Sequence, residues 1–225
     1  MYWLSKYTNV RINRLNSEKH NKMNNSPYKI ANAKYKRPFD ILVLLIGHIV
    51  LSPILIPIWI TVPLLIWIYD RGPIFYMQER LGKNGDKFKI FKFRTMTVGA
   101  EISTGAIWAT ENDIRVTSIG KVLRRWRIDE LPQTINILKA DMSLVGPRPE
   151  RPELAESFET EIPGFHSRLT VRPGFAGLAQ VRGRYSTKPR NKLRYDQLYI
   201  KRLSFCFDIK LLVCSFWIVV KGFQH

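Results

Sequence analysis

Asp129 and Glu130 are adjacent carboxylates in an unusually arginine-rich neighbourhood. Arg124, Arg125 and Arg127 precede them, and three segments that present further arginines follow: Gly146-Pro147-Arg148-Pro149, Arg172-Pro173-Gly174, and Gln180 to Arg184 with Arg182 inside it. Such a pair suits phosphoryl transfer, because Asp or Glu can hold Mg2+ and a carboxylate can itself attack phosphorus. Arginines then grip phosphate oxygens through paired, charge-assisted hydrogen bonds. The ordinary alternative is a surface ion pair between Asp129 and Arg125, one helical turn before it, of little energetic worth. Other chemistries have no foothold. His20, His48, His166 and His225 stand singly, and Cys206 and Cys214 show neither metal-ligand spacing nor a disulfide framework.

The elements that must position the pair can be read from periodicity. Ile119, Val122, Leu123 and Trp126 follow helical spacing, with Thr117 or Ser118 available as N-cap. Pro132 disfavours helical geometry at Leu131, so this helix ends near Asp129-Glu130 and another begins around Pro132. The carboxylates therefore sit at a helix junction. Upstream, Lys87 to Thr95 nearly alternates polar and apolar residues, with one slip at Ile90-Phe91, which predicts a strand with a bulge.

Ile41 to Tyr69 holds no charged residue, and Asp40 and Asp70 close the run. As one straight helix it would measure about 44 Å against roughly 30 Å of hydrocarbon. Pro53, Pro57 and Pro63 interrupt it, and a bend at Ser52-Pro53 would leave arms of about 18 and 24 Å, neither of which crosses. Lys29, Lys34, Lys36 and Arg37 precede the run and Arg71, Arg80, Lys83 and Lys87 follow it, so both ends favour the cytoplasm. These features describe a re-entrant hairpin helix, with the Ser52 hydroxyl serving backbone groups that Pro53 leaves unpaired. A plain spanning helix with tolerated prolines is the other reading. Near the C-terminus, Ile209 to Val220 is almost wholly apolar but too short to span, which suits an interfacial or core helix.

Residues 1–36 are rich in Asn, Lys, Arg and Ser and read as a flexible basic arm rather than a cleaved signal peptide. The 225-residue chain carries a net charge of +18, so its partners are anionic. Composition alone leaves open a non-enzymatic protein binding lipid or nucleic acid. A metal-dependent phosphohydrolase acting on lipid pyrophosphates is a further alternative.

Several motifs occur in a fixed order: Lys36-Arg37-Pro38-Phe39-Asp40, Ser52-Pro53, Lys92-Phe93-Arg94-Thr95-Met96, Asn112-Asp113, and Asp129-Glu130-Leu131-Pro132-Gln133. Met142 to Pro149, Arg172-Pro173-Gly174, Gln180-Val181, Gly183-Arg184, and Tyr195-Asp196 with Tyr199 continue the order. Through these the chain, from about residue 36 onward, resembles the bacterial sugar transferases, the monotopic polyprenol-phosphate phosphoglycosyl transferases. It departs from them at Ala176, Leu178 and Arg182, where the family often carries Thr, Trp and Asn.

The resemblance implies a helix-rich α/β (α+β) fold: a small cytoplasmic catalytic domain over residues 71–225, a re-entrant membrane helix over 37–70, and interfacial amphipathic helices. It implies that Asp129 attacks a UDP-sugar, that Asp129 and Glu130 hold Mg2+, and that polyprenol phosphate accepts the phosphosugar. Arg124, Arg148 and Arg184 are then the candidates for phosphate oxygens, with Arg172, Arg182 and Asp196 also at the site. Ser52 and Pro53 break the membrane helix. The same resemblance places the protein on the cytoplasmic face of a bacterial plasma membrane, against lipid headgroups, with no nucleic acid partner and a homodimer as a possible assembly. It also suggests a minimal catalytic form, without the multi-span extension of larger members.

Overall fold

The computed structural model describes residues 33–100, 113–183 and 187–221. Most of the expected basic arm, Asn112 and Arg184 lie outside them. The fold is helix-rich, with two small two-stranded sheets.

The apolar run forms α1 (Lys36–Val50) and α2 (Ser52–Asp70), broken at Leu51, where φ is −91° and ψ is 4°. The Ser52 hydroxyl donates to the Ile49 carbonyl at 2.8 Å. That carbonyl lies four residues before Pro53 and lacks the N–H it would otherwise accept, so the serine repairs the helix where the proline damages it. The Thr61 hydroxyl donates to the Pro57 carbonyl at 2.8 Å, one turn back along the helix. α2 reaches Asp70, stopped by Arg71 in the left-handed region at φ 55°. Its 19 residues exceed the second arm expected from the sequence, and it is long and apolar enough, by length and composition, to cross a membrane.

Tyr35 and Lys36, assigned to the flexible arm, instead belong to the packed structure. The Lys36 ammonium donates to the Val145 carbonyl at 2.6 Å and pairs with Asp208 at 3.0 Å, and the Tyr35 hydroxyl donates to Asp208 at 2.8 Å. Arg37 donates to the Ile137 and Leu138 carbonyls. Asp40 accepts from the Ser143 hydroxyl and the Leu144 N–H, each at 3.0 Å. Lys36 and Arg37 are thus engaged with protein groups as well as flanking the apolar run.

Strands β1 (Phe75–Leu81) and β2 (Lys87–Phe93) pair antiparallel in unbroken register from Phe75↔Phe93 to Leu81↔Lys87. The expected bulge is absent. Both faces of β2 are covered toward its end, so an apolar residue fits on either side and the slip in alternation needs no extra residue. Ile90 enters the main core, Phe93 meets Trp59 of α2 at 5.2 Å between ring centroids, and the Lys139 ammonium lies 4.9 Å from the Phe91 ring centroid.

Downstream come α3 (Ser118–Arg125), a 3₁₀ turn at Ile128–Glu130, α4 (Gln133–Leu138) and β3 (Ser143–Val145). Next are α5 (Pro152–Glu161), a 3₁₀ segment at Phe165–Thr170, β4 (Gly174–Ala176) and α6 (Leu178–Arg182). The described chain ends with α7 (Pro189–Lys201) and α8 (Phe205–Val220). β3 and β4 pair in parallel, so close that a Cβ on Gly174 would lie 1.9 Å from the Gly146 nitrogen. The main core joins Leu44 of α1, Ile90, Ile137, Val145, Tyr199 and Leu211 of α8, and a second cluster sets Val62 and Ile66 of α2 against Phe93 and Leu123. Helix α8 buries Asp208 and Leu211 but leaves Phe205, Val213, Phe216 and Trp217 exposed.

Candidate active site

The turn that carries the carboxylates is set by α3 and α4. The Thr117 side chain caps α3 by accepting from the Gly120 N–H at 2.9 Å, as the sequence predicts. α3 ends at Arg125, and Arg127 then takes a left-handed conformation at φ 54°. For a residue with a Cβ this costs on the order of 1 kcal/mol. The reversal turns Asp129 and Glu130 inward, and they are only 7% and 5% exposed. Pro132 starts α4. Buried Asn136 then fixes α4 to the edge of β2, accepting from the Phe91 N–H at 3.0 Å and donating to the Lys89 carbonyl at 2.8 Å.

That attachment brings Lys92 to the site, where its ammonium lies 2.9 Å from a Glu130 oxygen. Lys92 shares a strand face with Phe88 and buried Ile90, opposite the exposed Lys87 and Lys89. The slip at Ile90-Phe91 is therefore the mark of a lysine turned inward. Lys92 stands in a sequence motif but not among the expected site residues, and the break in alternation is the signal that marks it.

Arg148 reaches the same Glu130 oxygen at 2.5 Å. Arg124 is braced by donating its Nε–H to the Thr95 hydroxyl at 2.9 Å, and its charge acts on Asp129. Among the described residues, no donor is bonded to the Asp129 carboxylate. Burial pushes Asp129 up to about 6; Glu130 adds to the rise, and Lys92, Arg124 and Arg148 oppose it. Burial also acts against the charge on Glu130, but Arg148 and Lys92 override it and hold Glu130 well below the usual carboxylate range. Neighbouring carboxylates in environments this different suit different tasks. Glu130 is a fixed anion, and Asp129 is a desolvated carboxylate without a donor.

The structure thus brings together Asp129, Glu130, Arg124 and Arg148 of the expected residues, and adds Lys92. Asp196, 1% exposed on α7, instead pairs with Arg168 at 2.8 Å. It belongs to a separate ion cluster with Glu150, because α7 packs on the 3₁₀ segment that carries Arg168. Arg172 is half-buried in the loop before β4, and Arg182 is exposed at the end of α6; neither is bonded to the two carboxylates. Ala176 pairs with Val145 and Leu178 enters the main core, so two of the three departures from the family pattern are packing positions.

Two carboxylates among three cations suit a polyanion, with one carboxylate available as nucleophile or metal ligand. Among the described residues no set of three His, Cys, Asp or Glu could hold a metal on its own. Mg2+ is commonly held by one or two carboxylates plus substrate phosphates, and a donor-free Asp129 beside Glu130 fits that mode.

The family model described as bacterial sugar transferase matches residues 31–222. A UDP-N-acetylgalactosamine-undecaprenyl-phosphate N-acetylgalactosaminephosphotransferase of Aeromonas hydrophila is 40% identical over 191 residues, 84% of this chain and 44% of that protein. A UDP-glucose:undecaprenyl-phosphate glucose-1-phosphate transferase of Klebsiella pneumoniae is 41% identical over 203 residues, 88% of this chain and 42% of that protein. An exopolysaccharide production protein of Rhizobium leguminosarum bv. phaseoli is 37% identical over 185 residues, 79% of this chain and 90% of that protein. The chain thus spans less than half the length of the first two relatives.

Proposed function

The chain belongs to the bacterial sugar transferase family, and from that premise we propose that it moves a sugar 1-phosphate from a UDP-sugar to polyprenol (undecaprenyl) phosphate, releasing UMP. The observation that carries this reading is the turn at Ile128–Glu130, which places a donor-free, buried carboxylate beside an anion already gripped by Lys92 and Arg148. The Aeromonas and Klebsiella relatives are named for this class of reaction.

In the first half-reaction an Asp129 oxygen attacks the β-phosphorus, the bond from that phosphorus to the bridging oxygen breaks, and UMP departs with that oxygen. The phosphosugar remains on the Asp129 carboxylate as an acyl phosphate. In the second, an oxygen of the lipid phosphate attacks the same phosphorus, and the bond from that phosphorus to the Asp129 oxygen breaks. Asp129 returns to its ionised form and the product is a polyprenyl diphosphate sugar. A phosphate monoester has a second pKa near ~6, so this nucleophile is largely ionised at neutral pH and needs no base. Arg124, Arg148 and Lys92 hold the diphosphate, and Glu130 keeps Arg148 and Lys92 in place. Asp129 and Glu130 would also hold Mg2+, which when bound offsets charge on the diphosphate and on the departing UMP.

The reading is tested by incubating purified protein with a panel of UDP-sugars and polyprenol phosphate and measuring UMP. One sugar should support rapid, lipid-dependent release, chelation of Mg2+ should stop it, and Glu130→Gln should lower it by ~10²-fold. Release of inorganic phosphate in place of UMP would sink the transferase reading. Full turnover in excess chelator would remove only the metal.

The same reading includes a re-entrant anchor that keeps the site at the cytoplasmic face. The helix break at Leu51 and the exposed apolar residues of α1, α2 and α8 support it. In a variant with Cys206 and Cys214 replaced by Ser, single cysteines at Lys34 and Lys83, both exposed, should be labelled by an impermeant thiol reagent from the cytoplasmic side. Labelling from opposite sides would make the segment a spanning helix.

A further inference from the structure

The backbone that carries Arg148 is pinned along its length. The Val145 carbonyl accepts from Lys36, the Gly146 N–H donates to the Ala176 carbonyl at 2.8 Å, and the Pro147 carbonyl accepts from the Gly174 N–H at 2.9 Å. Beyond Arg148, the Pro149 carbonyl accepts from Arg80 at 3.2 Å and the Glu150 carbonyl from the Leu81 N–H at 3.0 Å. At Arg148 itself the carbonyl accepts from the Arg168 guanidinium at 2.8 Å.

Arg168 is an expensive way to make that contact. It is 4% exposed, its Nε and Nη1 have no hydrogen-bond partner among the described residues, and it adds a buried cation behind a site already rich in cations. The surrounding fold compensates with two carboxylates, Asp196 at 2.8 Å and Glu150 at 3.5 Å, both buried. One nitrogen, Nη2, meets both the Asp196 carboxylate and the Arg148 carbonyl while Nη1 faces Glu150, and a lysine ammonium, a compact charge on a flexible stem, does not hold this spread geometry.

We propose that Arg168 is a positioning residue for the transfer reaction: it clamps the Arg148 backbone so that the Arg148 guanidinium meets both Glu130 and the donor's phosphate, and Asp196 acts only by holding Arg168. The proposal rests on the phosphate-binding role assigned to Arg148 above. It also gives Asp196 a task that its burial permits, since a carboxylate 1% exposed and paired with Arg168 is poorly placed to touch substrate.

The test is a double-mutant cycle of Arg168→Lys with Arg148→Lys, read by UMP exchange into the UDP-sugar pool and by thermal unfolding. Arg168→Lys keeps a charge between the two carboxylates, so the protein should remain folded. Its kcat should fall by ~10–100-fold, as a displacement of about 1 Å in a catalytic group commonly does, with KM changed less than about threefold. In the Arg148→Lys background the same change should cost less than about twofold, because both changes act through one guanidinium. Additive losses, or a wild-type kcat in Arg168→Lys, would overturn the proposal. An Arg148→Lys enzyme as active as the wild type would instead overturn the role of Arg148, and this proposal with it. Should Arg168→Lys not fold, Asp196→Asn takes its place in the cycle, with the same kcat-only loss and the same non-additivity expected.

Discussion

Asp129→Asn should eliminate both exchange of labelled UMP into the UDP-sugar pool and net transfer to lipid, by ~10³-fold or more, while the protein stays folded and membrane-bound. The covalent scheme demands this, because the first half-reaction needs no lipid and an acyl phosphate is itself a reactive donor. Wild-type enzyme with Mg2+, UDP-sugar and labelled UMP but no lipid should therefore catalyse exchange, and trapped protein should gain the mass of one phosphosugar on the peptide containing Asp129. The environment of Asp129 adds two checks. Burial pushes its carboxyl from 3.8 up to about 6 in the metal-free protein, so the ionised nucleophile is depleted in acid and the exchange rate should fall as the pH drops. The fold favours the protonated form, so the stability contributed by Asp129 is fully present below its unfolded pKa of ~3.9 and is lost as pH rises through about 6. At neutral pH Asp129→Asn should then unfold at a temperature equal to or higher than the wild type. A direct transfer through a ternary complex predicts neither exchange without lipid nor an adduct. If the wild type transfers sugar efficiently and shows neither signal, Asp129 is not the nucleophile.

The parts of this site that were legible in the sequence are those governed by local rules. Thr117, the spacing of Ile119 and Leu123, and Pro132 fix two helix ends within a few residues, so the position of Asp129-Glu130 at a junction followed from capping and proline geometry alone. What was hidden depends on contacts between residues far apart in the chain. The bulge at Ile90-Phe91 followed from assuming one buried face, whereas α2 and Lys139 cover the face that a lone hairpin would leave open. Motif order groups Asp196 with the arginines, but its partner Arg168 lies in a short 3₁₀ segment that no apolar periodicity announces. Charge counting makes Lys36 and Arg37 flanks that orient a membrane segment, and it cannot tell a solvated lysine from one whose ammonium is bonded to Val145 and Asp208. That last difference bears directly on stability.

Asp208→Ala should be the most damaging single change to the fold outside the site. Asp208 is fully buried at the start of α8 and receives Lys36 at 3.0 Å, the Tyr35 hydroxyl at 2.8 Å and the Tyr199 hydroxyl at 2.9 Å. Burial, reinforced by the Asp208 charge, raises both tyrosine pKa values far above the usual phenol range, so both hydroxyls keep their protons and remain donors. Removing the carboxylate takes an acceptor from three donors; Tyr199 and Lys36 keep the Val145 carbonyl, but the ammonium, only 12% exposed, loses its counter-charge. Breaking a buried pair in this way costs about 3–5 kcal/mol, against a total of ~5–15 kcal/mol for a typical domain. Asp208→Asn keeps an acceptor in the same place and should cost less. Lys36→Met combined with Asp208→Asn removes both charges, and should be more stable than either Lys36→Met or Asp208→Ala alone. Because Lys36 also holds the Val145 carbonyl, three residues before Arg148, the double variant should retain its fold yet lose activity. Thermal unfolding in detergent checks the order of stabilities, and UMP exchange checks the split. An Asp208→Ala protein that melts within about 2 °C of wild type would mean that α1 and α8 are held together by apolar packing alone, with the buried ion pair contributing nothing measurable.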